Sequence, residues 1–133
     1  MERAHEAYSY RGEKMNIVRT ELIRLYKAYG YSRDGLIAAF RQDAPFTLEV
    51  LLSVLIVPLA LYLGDTGGER ALLAGSWLVV LSLELLNCGL EAITDYATKA
   101  ERHDLAKKTK DVGSAAVLIA ILNFLLVWAL VLF

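Results

Sequence analysis

Cysteine, proline and evenly spread charge are scarce in this 133-residue chain. The one cysteine, Cys88, can form no disulfide within the chain. It lies inside an apolar stretch and reads as a small hydrophobe in helix packing rather than a nucleophile. Of the two prolines, Pro45 suits the first turn of a helix. Pro58 falls mid-stretch and is expected to kink a helix whose neighbours supply the compensation. No internal repeat and no low-complexity tract is present. Nor is there a basic opening followed by an early apolar run and a small-residue cleavage site, so no signal peptide is expected.

The informative absence is that of charge over long runs. From Val112 to Phe133 there are 22 residues without a formal charge, enough for a helix of about 33 Å. Val50–Gly64 is a second uncharged run, reaching spanning length through Phe46–Leu48 if Glu49 is accommodated. Ala71–Leu83 is a third, prolonged toward Ala97. Hydrophobic residues make up 56% of the chain, above the roughly 45–50% of soluble domains. These runs predict an all-α membrane protein with spans near 46–63, 71–97 and 110–133.

Net charge is −1, but the basic residues are segregated. Eight precede the first span, five (Lys99, Arg102, Lys107, Lys108, Lys110) lie between the second and third, and only Arg70 lies between the first and second. By the positive-inside rule the N-terminal region and the 98–110 loop are expected in the cytoplasm, with the 64–70 turn and the C-terminus outside. Lys107 and Lys108 read as topology determinants facing anionic lipid. No nucleic-acid partner is expected.

Residues 1–16 are polar and aperiodic and are read as a loose extension to one membrane-embedded domain over 17–133. Val18, Leu22, Leu25 and Tyr29 recur at i, i+4, i+7 and i+11, with Arg19, Arg24 and Lys27 elsewhere on the wheel. That pattern predicts an amphipathic helix lying on the cytoplasmic membrane face. Gly30-Tyr31-Ser32 is expected to break it, with Ser32 capping a second surface segment to Asp43. Gly64–Gly68 is a turn by composition. Asp111 is read as a residue near the start of the last helix, where an acid suits the macrodipole. Gly113, Ser114, Ala115 and Ala116 form a small-residue patch where helices can approach closely.

The strongest chemical signal lies within the second span. Glu84, Asn87, Glu91 and Asp95 recur at i, i+3, i+7 and i+11. At roughly 100° per residue they fall within an arc of about 80°, one polar stripe on a greasy helix. Each intramembrane carboxylate costs a few kcal/mol to insert, so it is kept by partners or by function. Asp43 approaches the same interface and Glu49 lies just inside the first span. Carboxylates at a membrane surface with Arg24, His103 and Lys110 nearby suit Mg²⁺ carrying phosphates, since that ion takes one or two carboxylates plus phosphate and water. Glu84, deeper than such a site, could accept the proton of a lipid hydroxyl during in-line γ-phosphoryl transfer. No Walker sequence and no catalytic-loop or DFG-type motif is present, so a kinase here would be of unrelated design. Interhelical glue and a non-enzymatic cation-binding or proton-relaying bundle are the alternatives.

Glu84-x-x-Asn87-x-x-x-Glu91-Ala92-x-x-Asp95, followed by Lys110-Asp111-x-Gly113-Ser114-Ala115-Ala116-Val117, resembles the bacterial diacylglycerol kinase family. The likeness continues upstream through Gly30-Tyr31-Ser32 and Ala38-Ala39-Phe40-Arg41 and covers roughly residues 20–133. It implies a homotrimeric helical bundle of three-span protomers in the bacterial inner membrane, with active sites shared between subunits. It implies ATP-dependent phosphorylation of diacylglycerol to phosphatidic acid. By motif position, Glu84 falls on the general base, and Asp43 and Glu91 on the Mg²⁺ ligands. Both ligands, with Arg24, Tyr31, Asn87, Asp95, Glu101, His103, Lys110 and Asp111, fall on ATP-site positions. Ala28, Arg33, Glu84 and Ser114 fall on lipid-substrate positions. Three departures stand out: Asp43 replaces the usual glutamate, Arg33 replaces a usual tryptophan, and the 98–110 loop is one residue longer. An undecaprenol kinase of the same fold is the nearest alternative activity.

Overall fold

The computed structural model describes residues 2–133, with side chains from Val18 onward. Four helices follow one another: α1 (Glu2–Gln42), α2 (Ala44–Leu63), α3 (Gly67–Thr98) and α4 (Asp104–Leu132). The chain divides into two compact units, one ending at Ala38 and the other running Ala39–Phe133.

α1 departs from the sequence expectation. It runs unbroken through Gly30-Tyr31-Ser32. Gly30 does not use its access to positive φ, and the Ser32 hydroxyl donates to Ala28 O at 2.9 Å. A serine bonded back to i−4 leaves the helix ladder intact, so Ser32 is an interior residue and not a cap. The backbone is also helical from Glu2, where a loose extension was expected; side chains of residues 1–16 fall outside the described set. Val18, Leu22, Leu25 and Tyr29 are all exposed.

In the second unit, α2, α3 and α4 are each long and apolar enough to cross a membrane. α3 packs against both α2 and α4. Among helices in lipid, packing and hydrogen bonds hold the contacts, because the bilayer is as apolar as the helix faces. Trp77 Nε1 donates to Ser53 Oγ at 2.8 Å, tying α3 to α2. Trp128 Nε1 donates to Leu73 O at 3.1 Å, tying α4 to α3. Phe124 sits between the two indoles, its ring centroid 5.1 Å from that of Trp77 and 5.2 Å from that of Trp128. Trp77, Val80 and Ala120 form the buried core beneath them.

Helix ends follow local chemistry. Asp43 caps α2, its side chain accepting from Phe46 N, and Pro45 occupies the first turn. The helix continues through Pro58 to Leu63. Thr66 and Glu69 close α3 in a reciprocal capping box. At Gly64 a Cβ would stand 2.8 Å from Arg70 N, and Arg70 Nε donates to Gly64 O at 2.8 Å; the turn has room for glycine alone.

Two expected boundaries move outward. α3 starts at Gly67 rather than near 71, and α4 starts at Asp104 rather than near 110. The charged 104–110 segment is therefore helical, and the connection shrinks to residues 99–103. His103 caps α4, its Nδ1 accepting from Leu105 N at 3.2 Å. Asp111 consequently lies two turns inside α4 and has no capping role; it pairs with Lys107 at 2.6 Å.

Candidate active site

The polar stripe of α3 forms as its spacing requires. Glu84 is 4% exposed and Asn87 7% exposed, Glu91 is half-buried, and Asp95 reaches the surface. Along the helix Glu84 and Glu91 are about 10 Å apart, and Asp95 one turn further. Burial thus deepens steadily from a wet end at Asp95 to a dry end at Glu84.

Asn87 organises the middle of the stripe. Its Nδ2 donates to Glu91 Oε1 at 3.4 Å and lies in hydrogen-bonding reach of Glu84. Across from it, α2 brings two more acids. Asp43 and Glu91 both act electrostatically on Glu84, and Glu84 and Asp43 both act on Glu49. Among the described residues no cation acts on Glu84. Four carboxylates are therefore gathered by two helices, with Glu84 the most buried of them. Glu49 Oε2 is buried with no hydrogen-bond partner. Its presence near the stripe is the feature that sequence spacing left without a role; the only sign was an acid one turn inside an otherwise apolar span.

Cys88 is half-buried beside this cluster, with Asp43, Glu91 and Glu84 acting on it electrostatically. Among the described residues no three His, Cys, Asp or Glu side chains converge as a self-contained metal cage. Asp43 spends one oxygen on the cap to Phe46 N at 2.8 Å. Two carboxylates, Asp43 and Glu91, remain as hard oxygen donors, a set that fits an ion completing its shell with phosphate and water.

At the wet end, Lys110 Nζ meets Asp95 Oδ1 at 2.7 Å, joining α4 to α3. Beside them lies a cavity of about 490 Å³ whose wall mixes Arg102, His103, Lys107 and Lys110 with Asp95, Glu101 and Asp104. A second cavity of about 630 Å³ borders the same loop, lined by Thr94, Thr98, Lys99, Glu101, Arg102 and His103 among others. Lys99 and Ala100 hold the loop with positive φ of 52° and 58°. Two consecutive left-handed non-glycine residues each cost of order 1 kcal/mol, offset in part by Ala100 N donating to Asp95 O at 2.9 Å. The small-residue patch divides: Gly113 is buried against Asn87, whereas Ser114 and Ala115 are exposed.

Over residues 30–132 the chain matches the family described as prokaryotic diacylglycerol kinase. The chain belongs to that family. It is 44% identical over 114 residues to a diacylglycerol kinase of Pseudomonas aeruginosa, covering 86% of this chain and 92% of the relative. A diacylglycerol kinase of Haemophilus influenzae is 40% identical, covering 86% of this chain and 96% of the relative. One from Escherichia coli K12 is 40% identical over 113 residues, covering 85% and 92%. Membership in the prokaryotic diacylglycerol kinases places the chain among lipid kinases and among membrane proteins, consistent with its three long apolar helices.

The remaining family positions lie on α1. Arg24 pairs with Glu21 at 2.8 Å, and Ala28 O accepts from Ser32. Tyr31 is exposed, and Arg33 donates from Nε and Nη2 to Asp34 Oδ1 at 3.0 and 2.8 Å. Arg24 and Ala28 precede the matched region; Tyr31 and Arg33 fall within it.

Proposed function

We propose that this protein transfers the γ-phosphoryl group of ATP to the hydroxyl of diacylglycerol, giving phosphatidic acid and ADP. The observation carrying this reading is that α3 has two unlike ends: buried carboxylates around Glu84 against α2 at the dry end, and a charged cavity with Arg102, Lys107 and Lys110 in its wall against α4 at the wet end. A lipid hydroxyl and a polyphosphate need those two environments, and about three turns of helix separate Glu84 from Asp95. A relay or ion-binding bundle has no use for the second.

Glu84 takes the proton from the lipid hydroxyl as its oxygen attacks. Asn87 orients the carboxylates on either side of it along the helix. Asp43 and Glu91 would hold Mg²⁺ delivered with ATP, whose chemistry when bound would be to neutralise charge on the phosphates. Lys110, Asp95 and Asp111 frame the nucleotide with Glu101 and His103 of the adjoining loop. Arg24 and Tyr31 add to the nucleotide site, and Ala28, Arg33 and Ser114 to the lipid site. The protomer carries the span residues of this inventory on α2, α3 and α4; the complete enzyme is a homotrimer sharing sites between subunits. It lies in the inner membrane with α1 and the 99–103 loop in the cytoplasm, where ATP is available, and the 64–66 turn outside.

Competition decides the lipid. Purified protein in mixed micelles with γ-labelled ATP, Mg²⁺, diacylglycerol and undecaprenol is expected to label phosphatidic acid. Label in undecaprenyl phosphate instead would assign the alternative alcohol. ATP-independent ion flux in liposomes without labelling of either lipid would favour the bundle reading.

A further inference from the structure

Asn87 is buried, and its Oδ1 is fully enclosed without any hydrogen-bond partner. An enclosed amide oxygen with no N–H or O–H donor needs a reason. α4 supplies one. A Cβ built on Gly113 would collide with Asn87 Oδ1 and would stand 3.4 Å from its Cγ. The hydrogen that glycine carries in that direction therefore faces the amide oxygen, a weak C–H···O contact. Gly113 is itself buried, and its other close neighbour is Leu90 Cδ1, 3.6 Å from the same built position.

The orientation has a chemical consequence. Carboxylates only accept, so the Asn87 edge facing Glu84 and Glu91 must be the NH₂ edge with its two donors. The oxygen must then face α4, and only a residue without a side chain leaves space for it there. We infer that Gly113 is a positioning residue for phosphoryl transfer: its bare Cα is the wall that keeps the Asn87 amide turned toward Glu84 and Glu91. This inference rests on the proposed roles of those two acids. It gives Gly113 a task beyond close helix packing, for which Gly75, with nothing within 4 Å of a built Cβ, serves as the comparison.

The test is a double-mutant cycle. Gly113→Ala alone must displace the amide, and a misplacement near 1 Å costs about 10²-fold in rate. Asn87→Ser removes the amide and leaves room for the new methyl, so Gly113→Ala added to it is expected to cost little more. Each variant is read by kcat, by Mn²⁺–ATP affinity from electron paramagnetic resonance, and by trimer content on size-exclusion chromatography. Gly75→Ala controls for adding a methyl to a helix glycine. The inference expects lower kcat and weaker Mn²⁺–ATP binding in Gly113→Ala, with the trimer kept and strong non-additivity with Asn87→Ser. Equal losses on adding Gly113→Ala with or without Asn87→Ser would overturn it, as would unchanged Mn²⁺–ATP binding in Gly113→Ala. The binding arm distinguishes the two claims: a wild-type protein that holds Mn²⁺–ATP but labels no lipid contradicts the kinase reading, while the cycle still judges Gly113.

Discussion

Replacing Glu84 by glutamine should move activity and stability in opposite directions. The carboxylate is 4% exposed. The groups acting on it are two like-charged acids, Asp43 and Glu91, and one neutral donor, Asn87. Among the described residues only the Asn87 amide offsets the cost of holding a charged acid there, which is about 2.5–3.5 kcal/mol at the centre of a membrane helix. Glutamine keeps the size and an acceptor oxygen while removing the charge, so the folded protein should lose nothing and gain up to about that amount. A general base contributes about 10²–10⁴-fold, or about 2.7–5.4 kcal/mol of barrier at 1.36 per decade. Reversible unfolding in mixed micelles and kcat from labelled phosphatidic acid read the two quantities separately. Activity near wild type in a folded Glu84→Gln protein would remove Glu84 as base. Lost activity with markedly lower stability would refute the claim that this acid is kept for chemistry.

The other consequences are narrower. Asp43 has two tasks that substitutions separate: Asn keeps a good N-cap for α2, so Asp43→Asn should hold its unfolding midpoint yet need more Mg²⁺. Asp43→Ala should lose about 1 kcal/mol of stability besides. Lys110→Met removes the 2.7 Å pair to Asp95 and a cation from the cavity wall; KM for ATP should rise with little change in melting temperature, since both partners are partly solvated. Thr66→Ala opens the α3 capping box and should cost about 1 kcal/mol with kcat unchanged, because that turn is at the end of α3 remote from Glu84.

The spans were legible because a long uncharged run of apolar residues is stable chiefly as a helix in lipid. The stripe was legible because four polar side chains stay on one arc of an apolar helix wherever that helix begins and ends. Boundaries were misplaced where charge was equated with loop. Asp104–Lys110 is charged and helical because outside the hydrocarbon a solvated Lys or Asp suits a helix, and Lys107 pairs with Asp111 one turn on. Gly30-Tyr31-Ser32 looked like a break, yet Ser32 bonds back to Ala28 O and the helix continues. The meeting of Glu49 with Glu84, and of Gly113 with Asn87, depends on the register of α2 and α4 against α3. Helical periodicity says which face a residue occupies and nothing about what it meets.

Direct in-line transfer with Glu84 as base makes one stereochemical demand. ATP made chiral at the γ-phosphorus should give phosphatidic acid of inverted configuration, as a single displacement requires. Retention would show two displacements through a phosphorylated enzyme group. Glu84 would then be a candidate nucleophile or a bystander, and the proposed division of labour along α3 would be wrong.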